Sequence, residues 1–287
     1  MSVIILMDFS QVTLANILSQ MGNHTNIKIE EGILRHMVLN SIRMYKTKHG
    51  AEYGELIITC DSRNYWRKQV FPYYKANRKK ARDASELDWK GIFDCLSKIK
   101  EELKEYFPYR VIDVDGAEAD DVIGTLCQEY GNTNQKILIL SADKDFQQLQ
   151  TFMNVHQYDP INKKKVQCNN PEQFLLEHII KGDAGDGIPN ILSDDNTFVI
   201  GKRQTPVTQK KMDTLTSINL NESATHIAYR NYMRNKQLID LTQIPDKIRQ
   251  DILESYHSQA DKKSNNLLNY FIVNKLRNLT DSIGDFV

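Results

Sequence analysis

Apolar residues fall into two kinds of run along this chain. Short continuous runs of four to six (residues 3–7, 55–60, 110–114 and 136–140) read as strands buried on both faces. Between them, apolar positions recur at helical spacing, as with Ile33, Leu34, Met37, Val38, Ile42 and Tyr45 in 31–49. Similar patterns predict helices over 12–20, 87–106, 122–130 and 172–182, the last opened by Pro171. Residues 155–158 and 164–167 flank Asp159–Asn162 and read as a hairpin. Beyond Gly182 strand patterns stop, and 210–218, 222–241, 246–257 and 264–276 all read as helical. The alternation predicts an α/β fold with a mainly parallel sheet flanked by helices, followed by an all-helical part. The expected division is 1–182 and 183–287.

The polar positions that matter stand where these strands stop. Asp8 ends the first run and Asp61 the second. Glu118, Asp120 and Asp121 follow the third, and Asp143 and Asp145 the fourth. A single strand-terminal Asp is ordinarily a turn or cap residue. Four strands ending this way put the acids together at one edge of a parallel sheet, where such folds bind ligands. Two carboxylates about 4 Å apart repel by roughly 4 kcal/mol at an effective dielectric near 20. A cation relieves that cost, and a set of hard oxygen ligands suits Mg2+ or Mn2+. Asp183 and Asp186, in Gly182-Asp-Ala-Gly-Asp186, add a further pair. No aspartyl-phosphatase pattern is present, because Ser10 stands two residues after Asp8. The seven histidines are scattered and read as surface or core.

Charge sharpens the picture. Lysine plus arginine and aspartate plus glutamate both number 37, yet the signs are segregated. Residues 62–82 hold Arg63, Arg67, Lys68, Lys75, Arg78, Lys79, Lys80 and Arg82 and no acid, interleaved with Tyr65, Trp66, Phe71, Tyr73 and Tyr74. Cations hold a phosphate backbone and aromatics stack on unpaired bases. Lys75 and Arg78, three apart, are expected on one helix face, aimed at the scissile phosphate. The four cysteines form no Cys-x-x-Cys pair, which argues against zinc and for a reduced, cytosolic setting. The apolar start is too short for a signal peptide or membrane span.

Glu118-Ala-Asp-Asp121, Ser141-Ala-Asp-Lys-Asp-Phe146, Lys75-Ala-Asn-Arg78 and Gly182-Asp-Ala-Gly-Asp186, in this order, resemble the 5′-nuclease (flap endonuclease) family, and most closely its phage ribonuclease H branch. The resemblance implies two Mg2+ ions, with Mn2+ able to substitute. It implies that Asp8, Asp61, Glu118, Asp120 and Asp143 surround the first ion. Asp145, Asp183 and Asp186 then lie toward the second, with Asp121 between. Asp120 and Asp143 are the acids it makes most important for catalysis, with Lys75 and Arg78 as the basic residues on the reacting phosphate. It implies nucleic-acid contacts by Arg67, Lys75, Arg78, Lys79, Lys80 and Arg82, with 78–87 as an arch over the 5′ strand. Gly187 replaces the family's usual Asn and 193–199 lacks its Gly-rich hairpin, which leaves a potassium site in doubt and passes duplex contacts to Lys202, Arg203, Lys210 and Lys211. The expected substrates are DNA and RNA–DNA hybrid, cleaved as a 5′-to-3′ exonuclease and flap endonuclease. The setting this implies is primer removal in the cytoplasm of an infected bacterial host. A monomer is expected, with a single-stranded-DNA-binding protein and a sliding clamp as candidate partners; the last eight residues loosely resemble a clamp peptide. The rival readings are a toxin-type ribonuclease with a related acidic sheet and a replisome adaptor with a structural metal.

Overall fold

The computed structural model describes residues 4–21, 30–217 and 225–287, without the side chains of Met21, Lys80 and Ala81. Parts of the expected elements at Val3, Ile218 and 222–224 lie outside the described residues. Strand β1 (Ile4–Asp8) runs into helix α1 (Phe9–Met21), followed by α2 (Glu31–Tyr53) and β2 (Glu55–Thr59). Short helices α3 (Arg67–Val70) and α4 (Ala76–Asp83) precede the long α5 (Trp89–Tyr106) and β3 (Arg110–Ile112). Helix α6 (Ala119–Tyr130) and β4 (Ile137–Leu140) lead to a 3-10 helix at Lys144–Thr151. The hairpin β5 (Val155–Asp159) and β6 (Lys164–Val166) follows, then α7 (Pro171–Lys181).

The six strands form one sheet in the order β3-β2-β1-β4-β5-β6. All pairings are parallel except β5 with β6. Successive residues of each strand enter opposite cores. Ile5, Met7, Leu56, Ile58, Leu138 and Leu140 face α1, α2 and α5, whereas Ile4, Leu6, Ile57, Ile137 and Ile139 face α6. With both faces covered, period-two alternation leaves no polar position inside a strand, which is why these segments read as unbroken apolar runs. The chain builds outward from β1 through β2 to β3, then returns to β1's other side as β4. The crevice at this switch point, between the carboxyl ends of β1 and β4, is where ligands bind in open α/β sheets.

The described residues beyond Gly182 pack onto the cores of the sheet and onto α7. Leu241, Ile244, Ile252 and Tyr256 complete the α6-side core. Leu267, Tyr270, Phe271 and Phe286 complete the other. The helices Gln209–Ser217 and His226–Ile239 pack against α7 through Ile180, Ile191 and Met212, and through Ile179, Leu238 and Ile239. The last residues pack inward too: Phe286 is fully buried, and Arg43 Nη1 donates to Asp285 Oδ2 at 2.8 Å.

Candidate active site

Asp8 is the last residue of β1. Its Oδ1 accepts from Gln11 N at 3.0 Å, capping α1, and its Oδ2 accepts from Ser141 Oγ at 3.0 Å, tying β1 to the end of β4. Asp61 Oδ1 accepts from Ala119 N at 3.0 Å, at the start of α6. Glu118 is the N-cap of α6 and Asp120 lies in its first turn, where the helix end favours negative charge. Asp143 caps the 3-10 helix, its Oδ1 accepting from Asp145 N at 2.9 Å. Local capping thus fixes Asp8 and Asp143, and the parallel register brings the acids to one edge.

Electrostatics reports the convergence. Burial, then Asp61 and Asp143, push the Asp8 carboxyl up to about 7. Burial, then Asp145, push Asp143 up to about 6. Burial and the neighbouring Asp143 raise Asp120 well above the usual carboxylate range. Among the described residues, Asp8, Asp61, Asp120 and Asp143 have no basic side chain at ion-pair distance. This donor set, four carboxylates without a protein cation, fits hard divalent ions.

The remaining acids are already engaged. Glu118 is 1% exposed and accepts from Lys75 Nζ at 2.5 Å, Arg67 Nη1 at 2.8 Å and the Tyr74 hydroxyl at 3.1 Å. Asp186 accepts from Tyr74 at 3.0 Å and pairs with Arg78. Asp183 Oδ2 lies 2.8 Å from Lys144 Nζ and 3.4 Å from His178 Nε2. Burial alone would raise the Asp183 carboxyl, but the neighbouring His178 and Lys144 outweigh it and hold it well below the usual range. The hairpin-like turn that presents Asp183 and Asp186 needs Gly182, whose φ is 67° and where a Cβ would meet Ile188 O at 2.4 Å.

Several expected roles change. Asp121 is fully buried, its carboxylate held by Arg67 Nη2 at 2.8 Å, Trp66 Nε1 at 3.2 Å and its own N-cap residue's amide at 2.9 Å. It locks α6 onto α3, with its carboxylate turned into the core. Arg67 is 2% exposed, clamped between Glu118, Asp121 and Leu238 O, so it cannot reach a nucleic acid. Trp66, Phe71 and Tyr74 are buried and do not stack on bases. Lys75 does not share a helix face with Arg78: it precedes α4 in the left-handed region at φ 56°. The two cations converge all the same, Lys75 Nζ lying 3.7 Å from Asp186 Oδ2 on the carboxylate that Arg78 also pairs.

Beside Asp61 and Glu118 opens a cleft of about 670 Å³. Arg63, Lys68, Lys75, Arg78, Arg82 and Lys100 line it. Arg82 stacks over the half-exposed Phe93, 5.6 Å from its centroid. Lys79 is exposed; the Lys80 side chain lies outside the described residues. Lys202, Arg203, Lys210 and Lys211 are exposed on the loop and helix after α7, with Lys202 paired to Asp194 at 3.0 Å.

Residues 12–178 match the family described as 5′-3′ exonuclease, N-terminal resolvase-like domain, and residues 169–286 match that described as T4 RNase H, C terminal. The chain belongs to the 5′-3′ exonuclease family. It is 35% identical over 295 residues to the ribonuclease H of Enterobacteria phage T4, covering 99% of this chain and 95% of that one. It is 33% identical over 134 residues to a flap endonuclease of Shewanella woodyi, covering 44% of this chain and 49% of the other. A bacteriophage T5 flap endonuclease, solved with DNA and metal ions, shares the fold with a TM-score of 0.62, 18% identity, and coverage of 88% and 99%. This exonuclease-family chain is therefore a nuclease, acting on nucleic acid. No described helix is long and apolar enough to cross a membrane.

Two residues of this nuclease site escaped the sequence reading. Tyr74 bridges Glu118 and Asp186 from within an aromatic cluster, where its hydroxyl looks no different from its neighbours'. His178 stands in the last turn of α7, its Nε2 3.1 Å from Asp145 Oδ1. The one signal was its position five residues before Asp183.

Proposed function

We propose that this protein is a 5′-to-3′ exonuclease and flap endonuclease that hydrolyses phosphodiesters with two Mg2+ ions, leaving a 5′-phosphate and a 3′-hydroxyl. The observation that carries this reading is the mutual influence of four carboxylates without a basic partner, Asp8, Asp61, Asp120 and Asp143, of which Asp61 lines a cationic cleft. Asp8, Asp61, Glu118, Asp120 and Asp143 would hold the first ion, and Asp145, Asp183 and Asp186 the second. Bound there, divalent ions supply an acidified water and charge neutralisation for the leaving oxygen. Lys75, fixed against Glu118, and Arg78, more exposed, bind the scissile phosphate and meet the charge that grows on it. In doing so Lys75 and Arg78 exchange Asp186 for phosphate oxygens. Arg63, Lys68, Arg82 and Lys79 steer the 5′ strand along the cleft, and Phe93 offers a face for an unpaired base. The exposed Lys202, Arg203, Lys210 and Lys211 hold the duplex behind it.

Similarity to a phage ribonuclease H over nearly the whole chain supports RNA–DNA hybrid as a substrate beside flap DNA, and primer removal during phage replication in an infected host as the setting. The test is a labelled 5′-flap duplex and an RNA–DNA hybrid, each with Mg2+, with Ca2+ and without divalent ion. Cleavage from the 5′ end in Mg2+ alone is the expected result. Binding without cleavage in Mg2+ would leave a nucleic-acid-binding adaptor and overturn the enzyme reading.

A further inference from the structure

Beyond the acids, one nitrogen faces the same space. His178 is 6% exposed and its Nε2 lies 3.1 Å from Asp145 Oδ1 and 3.4 Å from Asp183 Oδ2. The three side chains offer ligand atoms that all fall within 4.8 Å of one another. Yet Nε2 is aligned for a hydrogen bond with neither carboxylate. An imidazolium serving only as a counter-ion would aim its N–H at one of them; here the ring nitrogen lies close to both oxygens and is aligned with neither. The ring is held in this pose by Phe174 one turn earlier, stacked at 5.7 Å and 10° between planes. Among the described residues, the only other cation on Asp183 is Lys144, whose half-exposed side chain is free to swing into water.

We infer that His178 is a direct nitrogen ligand of the second cation, which makes that position a mixed site of one imidazole and two carboxylates. Imidazole raises affinity for Mn2+, Fe2+ and Co2+ relative to Mg2+, which prefers oxygen and keeps its water. The two positions of this nuclease therefore differ: the first is all oxygen and takes Mg2+, while the second prefers Mn2+. This rests on the two-cation reading for what the second ion does, but not for whether histidine binds it.

The test is a Mn2+ titration of the metal-free full chain, followed by pulsed electron paramagnetic resonance for nitrogen hyperfine coupling. Two Mn2+ equivalents are expected, one of them coupled to nitrogen. Substituting 15N-histidine should change that coupling in the unaltered protein, a readout that survives even if a variant does not fold. In His178→Gln the coupling should vanish and Mn2+ affinity at that position fall at least ~10-fold, the lower bound found for residues that merely orient ligands. Mg2+ affinity should change less, so the Mn2+ preference narrows. Two Mn2+ equivalents without histidine coupling would overturn the inference and spare the two-cation reading. One equivalent carrying the coupling would uphold His178 as a ligand and overturn the two-cation reading. Coupling that persists in His178→Gln would overturn the assignment to this residue.

Discussion

Individual residues of this site divide by what already holds them. Lys75 is bound to Glu118 and lies close to Asp186, in a strained backbone position. Strain at a buried cation fits a group placed for chemistry more than for general affinity. Lys75→Ala should cut single-turnover cleavage by roughly ten- to a thousand-fold, the range for removing one transition-state charge stabiliser. Flap affinity measured in Ca2+ should fall much less, because the other cations of the cleft remain; an equal fall would make Lys75 an ordinary phosphate anchor. Asp8 supplies a second residue-scale expectation. Its carboxyl rises from 3.8 to about 7 on burial beside Asp61 and Asp143. A raised carboxyl contributes stability below its unfolded value and loses it as pH rises through the folded one. The penalty on the metal-free fold therefore builds up between about pH 4 and 7 and is full above that, and a bound cation offsets it. Saturating Ca2+ should raise the melting temperature more at pH 8 than at pH 5. An increment independent of pH would mean the acids do not meet at a cation. His178 acts the opposite way: burial lowers it, but Asp145 and Asp183 prevail and raise it to about 9, so its stabilisation persists below 6.5 and is lost as pH rises through about 9.

At the scale of elements, hydrophobic pattern was a good guide where both ends of an element are fixed by strong local signals. The buried strands, the hairpin and α7 with Pro171 at its start all stand where the pattern puts them. Ends were less legible, because caps are tertiary as often as local. Predicted helix 264–276 is only Leu267–Val273, ended before Lys275 takes φ 56°, and a separate short helix, Arg277–Thr280, follows. The acids were legible because each stands at a strand end, a position that sequence reveals. What Arg67, Asp121 and Tyr74 do was not, since a basic or acidic letter does not say whether it pairs inward or faces solvent. His178 was invisible for the same reason: its partners come from a different segment, the 3-10 helix, and from the turn after its own helix. Two element-scale predictions follow from these placements. Phe286→Ala should destabilise the fold by about 3–5 kcal/mol, as for a buried aromatic removed from a core. Unchanged denaturant stability would return the tail to the status of a loose peptide. Replacing Lys79, Lys80 and Arg82 together with alanine should weaken flap binding and flatten its salt dependence, because fewer counterions are released. An unchanged slope would show that the charges of α4 are only solvated.

At the scale of the whole molecule, sheet topology gathers the active site and the C-terminal helices close both cores around it. The order of strands places β1 at the switch point, so Asp8 and Asp143 flank one crevice while α6 delivers Glu118 and Asp120 from the side. Charge segregation then does at this scale what net charge does not: a neutral chain presents a cationic cleft beside Asp61 and Glu118. The claim on which all of this depends is that the unpaired carboxylates serve the reaction and not the fold. Asp120→Asn isolates it, since Asp120 lies half-buried in the first turn of α6 and its carboxylate takes part in no hydrogen bond or ion pair with a described residue. The measurement is single-turnover cleavage of a 5′-flap duplex by this variant in saturating Mg2+, beside its flap affinity in Ca2+. Cleavage should fall by roughly a thousand-fold or more, the rate equivalent of several kcal/mol of lost transition-state stabilisation, while affinity stays within a few-fold of the unaltered protein; near-normal cleavage would contradict the metal-dependent mechanism.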